Sequence, residues 1–258
     1  MKMRSLSAAT SIGFMLMVST GAEAAEIRLL SAIGMQAVME DLGPKFERAT
    51  GHKLAIAYAD LRTAITRVQG GETFDVAVIP RQGIDSFVKD GKAAAGNVTV
   101  VARSGIGVAV RKGAPKPDIS SPEALKRTLL AAKSISYSDP ASGASSGIHF
   151  AKVLDRLGIA DEMKPKTVFP KSLGGVAVGV LVANGEAEMG VNQIQELIPV
   201  AGVEVIPLPS DVQLTIIFAA AIMINAKEAE ASKALIDFLR TPEAAVAIKA
   251  KGMEPSAP

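Results

Sequence analysis

The sequence predicts an α/β protein organised as two halves. Apolar, strand-like runs alternate with helix-like stretches along nearly the whole chain, the pattern that builds sheets flanked by helices. The roughly 234 residues after position 24 are long for one domain and comfortable for two. No linker rich in Pro or Gly separates the halves, which favours a chain that crosses between them more than once.

The opening MKMRSLSAATSIGFMLMVSTGAEAA reads as a secretory signal peptide over residues 1–24. Lys2 and Arg4 form the basic n-region, Leu6–Val18 the apolar h-region, and Ala22-Glu23-Ala24 the small-x-small cleavage site. Cleavage after Ala24 would remove Lys2, Arg4 and Glu23 and take the formal charge from +2 to +1. A lipid anchor needs a Cys directly after the cleavage site, and Ala25 stands there. The expected product is a periplasmic protein without a lipid anchor. The chain has no Cys, so disulfides, thiolate metal sites and Cys nucleophiles are excluded. A nearly neutral chain with two Tyr and no Trp lacks the basic patch and stacking platform of a nucleic-acid binder. TIIFAAAIMI (215–224) is about half the length of a membrane span.

EIRLLSA (26–32) reads as a buried strand. Met35, Val38, Met39, Leu42 and Phe46 follow at helical spacing. Pro44 either kinks that helix or starts a second one. HKLAIAYA (52–59) is the next strand, LRTAITRVQGG a short helix, FDVAVIP (74–80) a strand and GIDSFVKDGK a helix. SGIGVAVRKG (104–113) reads as one strand, and SPEALKRTLLAAK (121–133) as a helix with Ser121 as its N-cap and Pro122 at its first position. KSISYS, GIHFAKVLDRLGI, GGVAVGVLVANG, AEMGVNQIQELI and VEVIPLP continue the series. QLTIIFAAAIMI and a pair of helices over EAEASKALIDFLRTPEAAVAIKAKG close it. There is no internal repeat.

The order of FERATGHKLAIAYA, GGETFDVAVIP, SYSDPASGASSG, GEAEMGVNQIQELI and ALIDFLRTPEAAVAI behind a signal peptide resembles periplasmic solute-binding proteins, in the branch containing molybdate-binding proteins. The resemblance implies a two-lobed, type II periplasmic-binding-protein fold, each lobe a mixed, mostly parallel sheet flanked by helices. Two crossover segments would lie near 104–110 and 213–219, making residues 25–104 plus 215–258 one lobe and 105–214 the other. Molybdate binders of the family carry AAAS after the first strand, G-S-S-G after the second and a late Tyr; this chain has LLSAIGM, AYADLRT and MGVNQI there. GAPKPDISSPEALKRTLLAAKSISYSDPASG with QIQELIPVAGVEVIPLPSDVQ is similar to the branch that includes aconitate isomerase, which uses the fold for an allylic proton shift on a tricarboxylate.

Candidate ligand-binding residues follow from strand ends and from this resemblance. Ser31, Ala32 and Gly34 follow the first strand and precede a helix N-terminus suited to an anion, or form an ordinary turn. Arg62 and Thr63 stand where the molybdate family places its serine loop; Arg62 offers a fork that fits a carboxylate, or is a solvated charge beside Arg67. Arg81 emerges from the strand FDVAVIP. Ser104 opens the first crossover and is preferred there to Arg103. In SYSDPASGASSG, Asp139-Pro140 starts a turn, Gly143 lets the backbone approach a ligand, and Ser145 or Ser146 can cap the next helix. Ser142, Gly143 and Ser145 are the candidates in this run, which flanking strand and helix mark as a cradle rather than a linker. Asn192, with Gln193, stands where the family's late Tyr would be. His52, His149, Asp139 and Tyr137 form no evident general acid/base pair, and no metal or cofactor motif is present. The resemblance implies a monomer that closes on a small anion and presents it to an ABC-type permease; the candidate arginines and the replaced serines favour a carboxylate over a metal oxyanion. The alternative is an aconitate-isomerase-like enzyme with no cofactor.

Overall fold

The computed structural model describes residues 24–172 and 174–256; apart from Ala24, the expected signal peptide lies outside the described residues. Strand β1 (Glu26–Ala32) runs into a 3-10 turn and helix α1 (Gln36–Thr50). Helix α1 buries Val38, Met39, Leu42 and Phe46, the spacing the sequence predicts, and passes unbroken through Pro44. Then come β2 (Lys53–Ala59), α2 (Leu61–Gln69), β3 (Val76–Pro80) and α3 (Arg81–Lys89). Strands β4 (Thr99–Ser104) and β5 (Ile106–Arg111) precede α4 (Pro122–Ala131), whose N-cap Ser121 accepts from the Ala124 N–H as expected. After β6 (Ile135–Tyr137) follow α5 (Ser145–Leu157), α6 (Ala160–Met163) and α7 (Gly175–Asn184). The chain continues through β7 (Met189–Gln193), α8 (Ile194–Leu197), β8 (Val203–Pro207) and β9 (Ile216–Ile222), then α9 (Ala229–Phe238), α10 (Pro242–Ala250) and β10 (Glu254–Pro255).

These strands form two mixed sheets. One has the order β10-β4-β9-β3-β1-β2, the other β6-β7-β5-β8. The chain passes from the six-stranded half to the four-stranded half between Ser104 and Ile106, and returns between Pro207 and Ile216. This corrects the single strand expected over 104–113. Gly105 breaks it, and a Cβ there would stand 3.2 Å from the Gln213 carboxamide carbon. The Gln213 carboxamide fills the gap: Oε1 accepts from the Ile106 N–H (2.6 Å) and Nε2 donates to the Ile106 carbonyl (3.0 Å). Both passages are thus clasped by one side chain.

The sheets are not mostly parallel. Only β1–β2, β1–β3 and β6–β7 pair in parallel, and the other five pairings are antiparallel. The physical reason is the double crossing: β5 and β9 arrive directly from the other half without an intervening crossover helix, and they make four of the five antiparallel pairings.

One continuous apolar cluster, from Ile27 to Met253, runs through both halves, and Ala109, Val178 and Leu197 form a small satellite. Asp75, 4% exposed, ties distant parts of the chain together. Its carboxylate accepts from the N–H groups of Arg28 (2.8 Å), Lys227 (2.7 Å) and Glu228 (3.1 Å). Among the described residues no helix is long and apolar enough to cross a membrane.

Candidate functional site

The ends of β1, β2, β3, β6 and β7 all deliver a turn or a helix N-terminus to the seam between the halves. After β1, Ser31 is fully buried and its hydroxyl lies 3.4 Å from the Ala32 carbonyl. Gly34 follows in the 3-10 turn, and its carbonyl accepts from Gln195 Nε2 of the other half (3.2 Å). A Cβ at Gly34 would stand 2.9 Å from that nitrogen and 3.2 Å from Gln193 Oε1, so glycine permits this approach. Ser104 is buried, and its hydroxyl donates to Gln195 Oε1. Gln195 therefore holds both Gly34 and Ser104 from across the seam.

The run SYSDPASGASSG folds as a compact turn. Asp139 Oδ1 accepts from the Ala141 N–H (2.8 Å), and the Ser142 hydroxyl donates to the Asp139 carbonyl (2.6 Å). Gly143 adopts φ +83°, a left-handed conformation that a side chain would strain. A Cβ at Gly143 would lie 2.7 Å from Arg62 Nε, so the guanidinium stem from the six-stranded half rests on this turn. The helix cap differs from expectation. Ala144 is the N-cap of α5 and provides no side-chain cap, while Ser145 and Ser146 are the first helical residues. Gly147 explains the close docking of that helix end, since a Cβ there would fall 2.0 Å from the Ser138 carbonyl oxygen. Ala144 offers the first-turn N–H groups of α5 no side-chain acceptor.

The other candidates divide. Asn192, 1% exposed, donates to the Ser138 hydroxyl (2.8 Å) and joins the ends of β6 and β7. The Thr63 hydroxyl bonds Asp60, the N-cap of α2 (3.1 Å). Arg81 pairs with Asp85 one turn along α3 (2.7 Å), yet it lines a cavity of about 170 Å³ with Pro80, Ser145, Leu214 and Ile216. Arg62 is exposed and has no ion pair among the described residues. His149 Nε2 bonds the Val212 carbonyl (2.8 Å), tying α5 to the return passage. His52 is half-buried, and its Nδ1 accepts from the Ala25 N–H (3.1 Å). Tyr137 is buried edge-on against Phe150 and Phe169, and burial raises its phenol above the usual range. No group of three or more His, Asp or Glu among the described residues could hold a metal ion.

Two residues at the seam escaped the sequence reading. Gln195 and Glu196 are 1% and 6% exposed. Glu196 accepts through Oε2 from the Gly175 N–H at the start of α7, and through Oε1 from the Gln193 carboxamide. Burial pushes its carboxyl up to about 7, against the opposing pull of those two hydrogen bonds. The available signal was the polar cluster NQIQE directly after the apolar strand MGV.

A sequence profile of the bacterial extracellular solute-binding protein family matches residues 27–254. The chain belongs to that family. It is 34% identical to an aconitate isomerase of a Pseudomonas species over 95% of each chain. It is 28% identical to the molybdate-binding protein ModA of Azotobacter vinelandii over 92% of each chain. The solved Azotobacter vinelandii periplasmic molybdate-binding protein shares the fold of this family member at TM-score 0.73 and 20% identity, with 90% of this chain and 99% of that chain covered. The type II periplasmic-binding-protein architecture expected from the sequence is therefore present, with its sheets mixed as described.

Proposed function

We propose that this family member works in the periplasm by closing its two halves, as lobes, over a small polycarboxylate of the aconitate type. Arg62 is the observation that carries the reading. Among the described residues it has no charged partner, and it is set at the seam on the turn that precedes a helix N-terminus. A guanidinium fork matches a carboxylate in two parallel hydrogen bonds. The N–H groups at the start of α5 would hold a second carboxylate, and the buried hydroxyls of Ser31 and Ser104 add neutral polarity. Sheets of this kind collect ligands where strands end and helices begin.

Such a cleft serves two fates. Family membership supports delivery of a bound anion to an ABC-type membrane permease, and on this reading the protein acts as a monomer. The 34% identity to an aconitate isomerase over nearly the whole chain supports a second reading, interconversion of cis- and trans-aconitate in the same cleft. Thermal-shift titration of the mature protein with citrate, cis-aconitate, trans-aconitate, sulfate and molybdate tests the shared ligand class. The expected result is stabilisation by several degrees with a tricarboxylate, lost in Arg62→Ala. A response to molybdate or sulfate alone would overturn it. Chromatography of the aconitate samples then separates the two fates.

A further inference from the structure

We propose that Glu196 is the residue that moves the proton when the closed cleft acts on an allylic polycarboxylate. This rests on the isomerisation reading and names the group that reading otherwise lacks.

The placement is the first argument. Glu196 lies at the seam, where the Gly174-Gly175 pair admits it. A Cβ at Gly175 would stand 2.6 Å from the Glu196 Cβ, and one at Gly174 would stand 3.4 Å from its Oε2. That same Gly174 position is 3.0 Å from Ile33 Cγ2, which comes from the six-stranded half. The carboxyl thus sits beside the point where Ile33 of the six-stranded half meets the start of α7.

The connections are the second argument. The Gln193 carboxamide donates to Glu196 and accepts from Gln195 Nε2 (2.9 Å). Gln195 in turn holds the Ser104 hydroxyl and the Gly34 carbonyl. A chain of neutral amides therefore runs from the carboxyl to the other half, positioning it without an ion pair.

Charge is the third. Helix α7 and strand β7, which pack on α8, carry no charged residue. The one charge of β5, Arg111, ends that strand away from the seam, and Glu204 of β8 pairs with Lys116 (3.6 Å). An anion cradle gains nothing from a buried, unpaired carboxylate, because like charges repel. A carboxyl held near neutrality instead exchanges protons readily with a substrate.

The step balances without an oxidant or cofactor. Ionised Glu196 takes a proton from the methylene carbon beside the double bond, breaking that C–H bond. Its electron pair becomes the new C=C, and the old π pair moves to the far carbon. That carbon accepts a proton back from the Glu196 carboxyl. One C–H bond breaks, one forms, and the oxidation level is unchanged.

The test compares the mature protein with Glu196→Gln, which keeps an oxygen acceptor for the Gly175 N–H. Aconitate affinity should stay within about threefold, while isomerisation and deuterium uptake from D₂O into bound aconitate should fall at least ~100-fold. The wild-type kcat/KM should rise with pH through a limb near neutrality, an effect that helix capping alone would not produce. A glutamine variant with turnover within about threefold of wild type, or a wild-type profile flat between pH 5.5 and 8.5, overturns the assignment while the isomerase reading stands. A wild-type protein that binds aconitate with neither turnover nor exchange overturns both.

Discussion

Arg62 rests its stem on Gly143 from across the cleft, so closely that a Cβ on Gly143 would fall 2.7 Å from its Nε. The contact joins an arginine with no ion pair among the described residues to the left-handed turn that leads into α5. Replacing Arg62 by Ala removes a charged donor fork whose hydrogen bonds each contribute roughly 1.5–3 kcal/mol. Tricarboxylate affinity should fall about 10- to 100-fold by calorimetry, with little change in ligand-free Tm because the side chain is exposed. Arg62→Lys should recover only part of the loss, since an ammonium offers no planar fork.

Gly143→Ala should act on shape rather than charge. Alanine at φ +83° costs roughly 1–2 kcal/mol in backbone strain, and its methyl displaces the Arg62 stem. The expected outcome is a lower Tm together with weaker binding, seen in the same thermal-shift titration. A variant with wild-type affinity would show that the turn relaxes freely.

Gln195→Ala should loosen the closed form. The substitution leaves the Ser104 hydroxyl and Gly34 carbonyl without their cross-seam partner, and each buried group so stranded costs about 1–3 kcal/mol. Small-angle scattering should show a larger radius of gyration in the ligand-free variant, recovered at saturating ligand.

Stability should fall as pH rises from about 4.5 to about 7. The folded-state carboxyl of Glu196 titrates near 7, above its ordinary value of 4.5. Between those values the folded chain keeps a proton that the unfolded chain has released. The stability present below about pH 4.5 is therefore lost progressively up to about pH 7, by roughly 3 kcal/mol. Denaturant unfolding of Glu196→Gln should show a flatter profile across that window. An unchanged slope would place the titration elsewhere.

Asp75→Ala should destabilise without touching the site. Three backbone donors from Arg28, Lys227 and Glu228 lose a buried acceptor, a loss of about 3 kcal/mol, or roughly 6–12 °C in Tm for a chain of this size. Ligand affinity, read by calorimetry below the transition, should be unchanged.

Features encoded locally were legible in the sequence. The run 26–32 is apolar enough to be a buried strand, and Ser121-Pro122 carries its own cap chemistry. Strand β4 was missed because Thr99–Ser104 shows no clean alternation and ends in Arg103-Ser104, which reads as the start of the next strand. Arg62 and Gly143 each stood out by residue type, but only the folded seam makes them neighbours. Glu196 gave no local sign of burial, because IQELI reads as a polar helix start. Its burial is imposed by the distant Gly174-Gly175 pair, whose missing side chains leave room for it. Asp60, rather than any cleft ligand, claims the Thr63 hydroxyl for a similar reason: cap geometry is settled only once the helix start is fixed.

The order β10-β4-β9-β3-β1-β2 also sets an order of folding for a chain that emerges from its N-terminus. Strand β9 lies between β3 and β4, so those two join one sheet only once residues 216–222 are free to fold. The four-stranded sheet needs nothing beyond Pro207. The half that begins the chain is therefore the half that finishes folding last.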